Sequence, residues 1–276
     1  MKPRVGHIQF LNSLPLYHFL VQKQVVLKID LFKDNPKTLC RRLLSGDLDI
    51  SPVPAIEYAR NAEQLLLLPD LSIASDGLVM SISLISKVPI QELDGKTVAL
   101  TNTSATSQVL AKIILKEKYG LSPQYFDCPP DLPQMFREAD AALLIGDEAL
   151  RATYQDGEYF QYDLGLEWKN LTGEKMVYAV WCTTRSYAAE HPDRVRRVWQ
   201  SFQNSMQMSL ENYSEVAKAA APWTSFSQNF LEEYFRSLKF GFDPSYQYGF
   251  RLYLKKAQEI GVLDRIPALE FVNVLA

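Results

Sequence analysis

"KTVALTNTSATSQVLAKIILKEKYGLSPQYFDC", residues 96–128, packs a short apolar run, a hydroxyl-rich turn, a long helical period and a second short run into one stretch. "KTVALT" (96–101) reads as a strand, "TSATSQVLAKIILKEKYG" (103–120) as a helix ending at Gly120, and "PQYFDC" (123–128) as a strand. Two strands joined through a helix of this length run parallel. This one unit predicts an α/β fold.

The same alternation extends in both directions. On the N-terminal side, residues 4–10 read as a strand and 13–22 as a helix. "VVLKIDLF" (25–32) reads as a strand. "NPKTLCRRLLSGD" (35–47) starts on an Asn cap with Pro in the first turn and stops at Gly46, so it predicts a helix. A strand at 48–54, a helix at 55–64 and strands at 65–74 and 78–86 follow. On the C-terminal side come a helix at 131–139, a buried strand at 140–146, a helix at 147–154 and a strand at 175–184. Beyond that the pattern turns helical. Val195, Val198, Trp199, Phe202, Met206, Leu210 and Tyr213 fall on one face of 193–217. Two further amphipathic helices fit 227–239 and 244–260. The expected architecture is α/β with mixed, mostly parallel sheets. The helical tail packs back on the N-terminal unit, so 1–88 and 178–276 form a large lobe and 89–177 a small inserted lobe. Two lobes joined by two crossing segments enclose a cleft, and a cleft between lobes is a common ligand site.

Bulk properties exclude several classes. The chain has 276 residues, 47% hydrophobic and 22% charged, with a net charge of −3. That balance offers no nucleic-acid footprint. No run approaches the roughly 18 apolar residues of a membrane span, and "MKPRVGHIQF" has no secretory leader pattern. A cytoplasmic protein without a membrane partner is expected. Cys40, Cys128 and Cys182 are odd in number and far apart, as are His7, His18 and His191. Neither set has metal-ligand spacing, and no P-loop or GxGxxG turn occurs, so no metal and no cofactor are expected. Asp49 and Glu57 read as salt-bridge partners.

Five stretches carry candidate chemistry. In "FLNSLPLY" (10–17), spacing alone favours Asn12 and Ser13 as a helix cap, while their place beyond a parallel strand's carboxyl end, where ligands bind, offers them as the lip of a site. "TNTSATSQ" (101–108) has more hydroxyls than a cap needs. Thr103, Ser104, Thr106 and Ser107 could join a helix N-terminus in binding an anion. In "VMSISLIS" (79–86), Ser81, Ser83 and Ser86 alternate, and one of them could face the cleft. In "ALLIGDEAL" (142–150), Gly146 and Asp147 sit at a strand end, with a structural role favoured for the carboxylate. "YDLGLEWKNLTG" (162–173) reads as a lid or a packing loop anchored by Trp168.

In order, "VGHIQFLNSLPLY", "DLDISPVPAIEYAR", "SISLIS", "NTSATSQVLAKIIL", "ADAALLIGDEAL", "YDLGLEWKNLTG" and "VYAVW" resemble the chorismate dehydratases of the futalosine route to menaquinone. The resemblance runs from residue 4 to about 200. It implies a two-lobed fold like the type II periplasmic binding proteins. It also implies cofactor-free loss of water from chorismate to give 3-[(1-carboxyvinyl)oxy]benzoate, by a carbon–oxygen lyase. On this resemblance the family's first-turn Asn falls on Asn12 and its strand serine on Ser81, as catalytic residues. Ser13, Thr103, Ser104, Thr106, Ser107, Gly146 and Asp147 become substrate-binding candidates. Two stretches depart from the pattern. Pro54 stands where relatives often carry a small hydroxyl residue, and Glu174–Lys175 where many have an apolar residue and Pro. Two other functions stay open: an enzyme like the 1,4-dihydroxy-6-naphthoate synthase of the same pathway, and a non-catalytic small-anion binding protein. The absence of histidine from 89–177 argues against the first.

Overall fold

In the computed structural model, residues 2–22, 28–154 and 159–274 are described. The chain runs β1 (Arg4–Ile8), α1 (Leu14–Gln22), β2 (Asp30–Asp34), α2 (Pro36–Leu44), β3 (Ile50–Pro54), α3 (Ala55–Asn61), β4 (Leu65–Ser75), β5 (Ile82–Ser86) and β6 (Thr97–Thr101). It continues with α4 (Ala105–Ile113), β7 (Gln124–Cys128), α5 (Leu132–Glu138), β8 (Ala141–Ile145), α6 (Gly146–Tyr154), β9 (Phe160–Asp163), α7 (Leu164–Thr172) and β10 (Met176–Thr184). The C-terminal part adds α8 (Arg185–Glu190), α9 (Pro192–Glu211), α10 (Tyr213–Ala220), α11 (Gln228–Ser237), β11 (Leu238–Lys239) and α12 (Pro244–Glu259).

Two sheets result, in the orders β11-β4-β10-β3-β1-β2 and β7-β6-β8-β5-β9. The unit at 96–128 forms as read: β6 pairs parallel with β7 across α4. Past α4 the helix widens into a π-helical turn at Ile114–Lys118. Residues 25–27 of the strand expected at 25–32 lie outside the described residues, and β2 occupies 30–34.

Two expectations are corrected. First, parallel pairing is not the majority. β1 pairs parallel with β2 and β3, and β6 with β7 and β8. The β3–β10, β10–β4, β4–β11, β5–β8 and β5–β9 pairs are antiparallel. The cause is two strands that run against both neighbours, β10 between β3 and β4 and β5 between β8 and β9. Second, β5 belongs to the second sheet, so by sheet membership the first crossing lies at 76–81 rather than at 88. The strand expected at 78–86 begins only at Ile82, because Met80 sits in the left-handed region at φ +62°, where a strand cannot run.

Local chemistry explains the elements that frame the cleft. Asn35 caps α2 by accepting from the Thr38 amide at 3.0 Å, with Pro36 in the first turn. Val195, Val198 and Phe202 of α9 are buried as the periodicity requires, while Leu210 is exposed. Trp181 of β10 and Trp168 of α7 are fully buried. Arg4 pairs with Asp49 at 2.5 Å and Arg60 with Glu57 at 2.7 Å, the structural roles expected of both acids. Cys40, Cys128 and Cys182 are buried and unbridged.

His7 of β1 stacks on Tyr17 with ring centroids 3.9 Å apart. Burial, and secondarily Lys33, pushes its imidazolium down from 6.5 to about 4. A histidine lowered in the folded state binds its proton in the unfolded state first. Stability is therefore expected to fall as pH drops from 6.5 to about 4, by on the order of 2–3 kcal/mol. Urea titrations at stepped pH should show this dependence in the native protein and a flatter one in His7→Gln. Equal slopes in the two proteins would refute the assignment.

Candidate active site

A small cavity of about 40 Å³ lies between the sheets, lined by Ile8, Phe10, Asn12, Pro36, Pro54, Ile73, Ser81, Ile82, Ser104, Ser107, Ile145, Gly146, Tyr178 and Ala179. It is narrower than an ordinary ligand pocket, so its interest lies in the residues it gathers. Among the described residues its wall contains no Lys, Arg, His, Asp or Glu. Polarity comes from one amide, four hydroxyls and whatever backbone N–H groups face inward.

β1 ends at Ile8, and a single 3-10 turn, Leu11–Ser13, leads into α1. The turn separates its two polar residues. Ser13 is fully buried, and its hydroxyl donates to the carbonyls of Ile8 at 2.8 Å and Phe10 at 3.1 Å. Ser13 is thus committed to shaping the turn and does not line the cavity, which corrects its assignment as a substrate contact. Asn12 does line it, and its Oδ1 is buried with no hydrogen-bond partner. A buried amide oxygen without a partner is costly and uncommon. Its position marks where a ligand donor belongs. Ser13→Ala is expected to cost about 1 kcal/mol of stability with little change in ligand affinity; thermal unfolding and ligand titration of the same variant check both halves.

α4 brings the second group. Ser104 is its N-cap, accepting from the Ser107 amide at 3.3 Å and donating to the Ser107 hydroxyl at 2.9 Å. Among the described residues no side chain accepts from the amides of Ala105 or Thr106. The partial positive charge of this terminus remains available to an anion. Thr103 and Thr106 are corrected. The Thr103 hydroxyl pairs with that of Thr101 at 2.8 Å, and the Thr106 hydroxyl accepts from the Ile56 amide at 3.3 Å, joining α4 to α3. Neither lines the cavity.

Ser81, just ahead of β5, lines the cavity while its hydroxyl donates to the Val79 carbonyl at 3.4 Å; Ser83 and Ser86 do not line it. The Ser81 carbonyl accepts from the Gly146 amide at 2.7 Å. Gly146 has φ +61°, and a Cβ there would lie 2.8 Å from the Phe10 ring. Only glycine admits this contact between α6 and the β1 turn. Next to it Asp147 accepts from the Leu11 amide at 3.0 Å. Burial pushes this carboxyl up, and the Leu11 N–H pulls it back. Asp147 therefore bridges the two sheets' elements behind the cavity wall and is not a cavity contact. On the far rim, the Tyr253 hydroxyl donates to the Thr106 carbonyl at 3.1 Å and Lys256 pairs with Glu117.

The sequence left α7 undecided between lid and packing loop; it is a packed helix with Trp168 donating to the Lys175 carbonyl at 3.1 Å. Lys175 itself reaches Ser245 and the ring of Tyr246, away from the cavity.

The sequence matches the menaquinone biosynthesis family over residues 3–259. The chain belongs to that family. Its relatives include a chorismate dehydratase of Thermus thermophilus, 30% identical over 272 residues, with 92% of this chain and 94% of the relative covered. The fold recurs in the alkanesulfonate-binding protein of Xanthomonas axonopodis bound to MOPS, at TM-score 0.69 and 18% identity, covering 98% of this chain and 96% of that one. A Candida albicans protein with the generic periplasmic binding protein fold matches at TM-score 0.64 and 16% identity, over 97% and 92% of the two chains. The two-lobed α/β fold of periplasmic binding proteins is therefore this family member's fold. No helix among the described residues is long and apolar enough to cross a membrane, and no cluster of three or more His, Cys, Asp or Glu among them could hold a metal.

Eight lining residues went unseen in the sequence reading: Ile8, Phe10, Pro36, Ile73, Ile82, Ile145, Tyr178 and Ala179. Tyr178 had a signal, since an inward-facing tyrosine in a buried strand needs a hydroxyl partner; it finds Ser75 at 2.8 Å. Pro54 lines the cavity too, and it has no N–H of its own to donate there.

Proposed function

We propose that this family member is a chorismate dehydratase. It eliminates water from chorismate to give 3-[(1-carboxyvinyl)oxy]benzoate, the first step of futalosine-dependent menaquinone synthesis, as a hydro-lyase in the cytoplasm. The observation that carries this reading is the unpartnered Asn12 Oδ1 in a cavity with donor hydroxyls but no charged side chain. It is supported by the relative named chorismate dehydratase.

The chemistry matches such a wall. Chorismate carries two carboxylates, so acids in the cavity would repel it. Ser104, Ser107 and the α4 terminus bind one carboxylate and Ser81 contacts the other. Loss of the C3 proton and the C4 hydroxyl, with the C3–H electrons forming the new ring double bond, makes the ring aromatic. The reaction thus has a large driving force and needs chiefly orientation, which can supply on the order of 7–11 kcal/mol at best. Asn12 orients the ring at C3 and C4. An amide cannot take the proton, and the cavity wall holds no other base, so the substrate's own enolpyruvyl carboxylate serves.

The test is to incubate the purified protein with chorismate and follow the products by mass spectrometry. Loss of one water, abolished in Asn12→Ala, is expected. Binding of chorismate without conversion would instead make this a binding protein of the same fold, and neither binding nor conversion would refute the reading.

A further inference from the structure

Ser81 owes its position to an unusual piece of backbone. Its amide donates to the Val79 carbonyl at 2.7 Å, closing a three-residue turn over Met80. Met80 holds φ +62° and is one of two non-glycine residues with positive φ among those described, the other being Asp70. Three-residue turns with positive φ at the centre are rare and strained. They persist only where the surroundings fix them.

The fixing group is Asp163, the last residue of β9 and the N-cap of α7. Its carboxylate accepts from the Met80 amide at 2.6 Å and from the Val79 amide at 3.2 Å to either oxygen. It also accepts from the Leu166 amide at 2.9 Å. A helix cap needs only the last of these. The two amides of the turn are an additional load, gripped from the second crossing between the lobes. Burial pushes the Asp163 carboxyl up while its amide partners hold it down. Gly165 closes the joint, because a Cβ there would lie 2.3 Å from the Gly77 carbonyl.

We infer that Asp163 is a positioning residue, which holds the Val79–Ser81 turn in its strained form and so keeps Ser81, whose hydroxyl also reaches the Val79 carbonyl at 3.4 Å, on the cavity wall. The inference rests on the dehydratase reading for its activity readout. A carboxylate is required because three N–H groups converge on it. Asparagine accepts through one oxygen only, and its NH₂ would face a backbone donor.

The experiment is a double-mutant cycle of Asp163→Asn and Ser81→Ala on chorismate turnover, with crystal structures of the wild type and Asp163→Asn. If Asp163 acts through Ser81, Asp163→Asn alone lowers kcat/KM at least tenfold. In the Ser81→Ala background it then adds less than about twofold. Losses that multiply overturn the inference, since a merely structural defect is blind to Ser81. Adding Met80→Gly to Asp163→Asn should restore most of the activity, because glycine adopts the turn without strain. Should Asp163→Asn not fold, a folded and active Asp163→Asn/Met80→Gly supports the inference, because relief of the turn alone then replaces the carboxylate; failure of both to fold overturns it, as Asp163 then serves the whole lobe. Wild-type protein that leaves chorismate intact refutes the dehydratase reading alone. The crystal structures then decide for Asp163: a displaced Ser81 with Met80 out of the left-handed region supports it, and an unmoved turn overturns it.

Discussion

Asn12→Ala is expected to lower kcat for chorismate by about 10²–10³-fold, with the unfolding midpoint nearly unchanged. The two halves follow from one observation. Asn12 Oδ1 has no partner within the protein, so truncation removes no intramolecular bond at that atom. What disappears is a contact made only with the bound molecule. If the contact strengthens as the C4 hydroxyl leaves, the loss falls on kcat more than on KM. Asn12→Asp sharpens the test. It keeps the shape but places a negative charge against a dianionic substrate in a wall without a cation, so affinity should fall further than in the alanine variant. Steady-state kinetics on both variants are decisive: turnover within threefold of wild type would remove Asn12 from the mechanism.

Gly146→Ala is expected to be nearly as damaging by a different route. An alanine there pays for a left-handed backbone, of order 1 kcal/mol, and its Cβ must push the Phe10 ring, 2.8 Å away. That ring lines the cavity beside Asn12, so kcat/KM should fall more than tenfold. Gly46→Ala is the control. Its φ is +80° with nothing within 4 Å of the new Cβ, so it carries the backbone cost alone. Urea unfolding and turnover of both variants separate the terms. Equal behaviour of the two would show that the Phe10 contact is unimportant.

Much of this molecule can be read from local patterns, and what cannot be read is long-range. The β6–α4–β7 unit and the Asn35–Pro36 helix start are governed by residues adjacent in sequence, and both stand in the structure as expected. The direction of β10 is different. Nothing within 175–184 says that it threads between β3 and β4; tertiary packing settles that. The site divides similarly. Asn12, Ser81, Ser104, Ser107 and Gly146 reach the cavity. Ser13, Thr103, Thr106 and Asp147 share the same motifs and the same chemistry, yet each faces a partner that sequence spacing cannot supply: Ile8, Thr101, Ile56 and Leu11. A hydroxyl-rich helix start predicts the neighbourhood of an anion site, while the turn of the helix chooses which hydroxyls meet it. Asp163 was legible only as part of a tract of undecided role, because its load, the amides of Val79 and Met80, lies more than eighty positions away.

The Asp147–Leu11 bond sets a scale for how the molecule breathes. A hydrogen bond to a charged group is worth about 1.5–3 kcal/mol, roughly a ten- to hundredfold bias in a two-state equilibrium. Leu11 adjoins Asn12, so this bond, one of several between the lobes, also holds the residue whose amide oxygen faces the cavity without a partner. A bias of this size is within reach of a ligand's own contacts, so whatever fills the cavity sets the placement of Asn12 as much as the protein does.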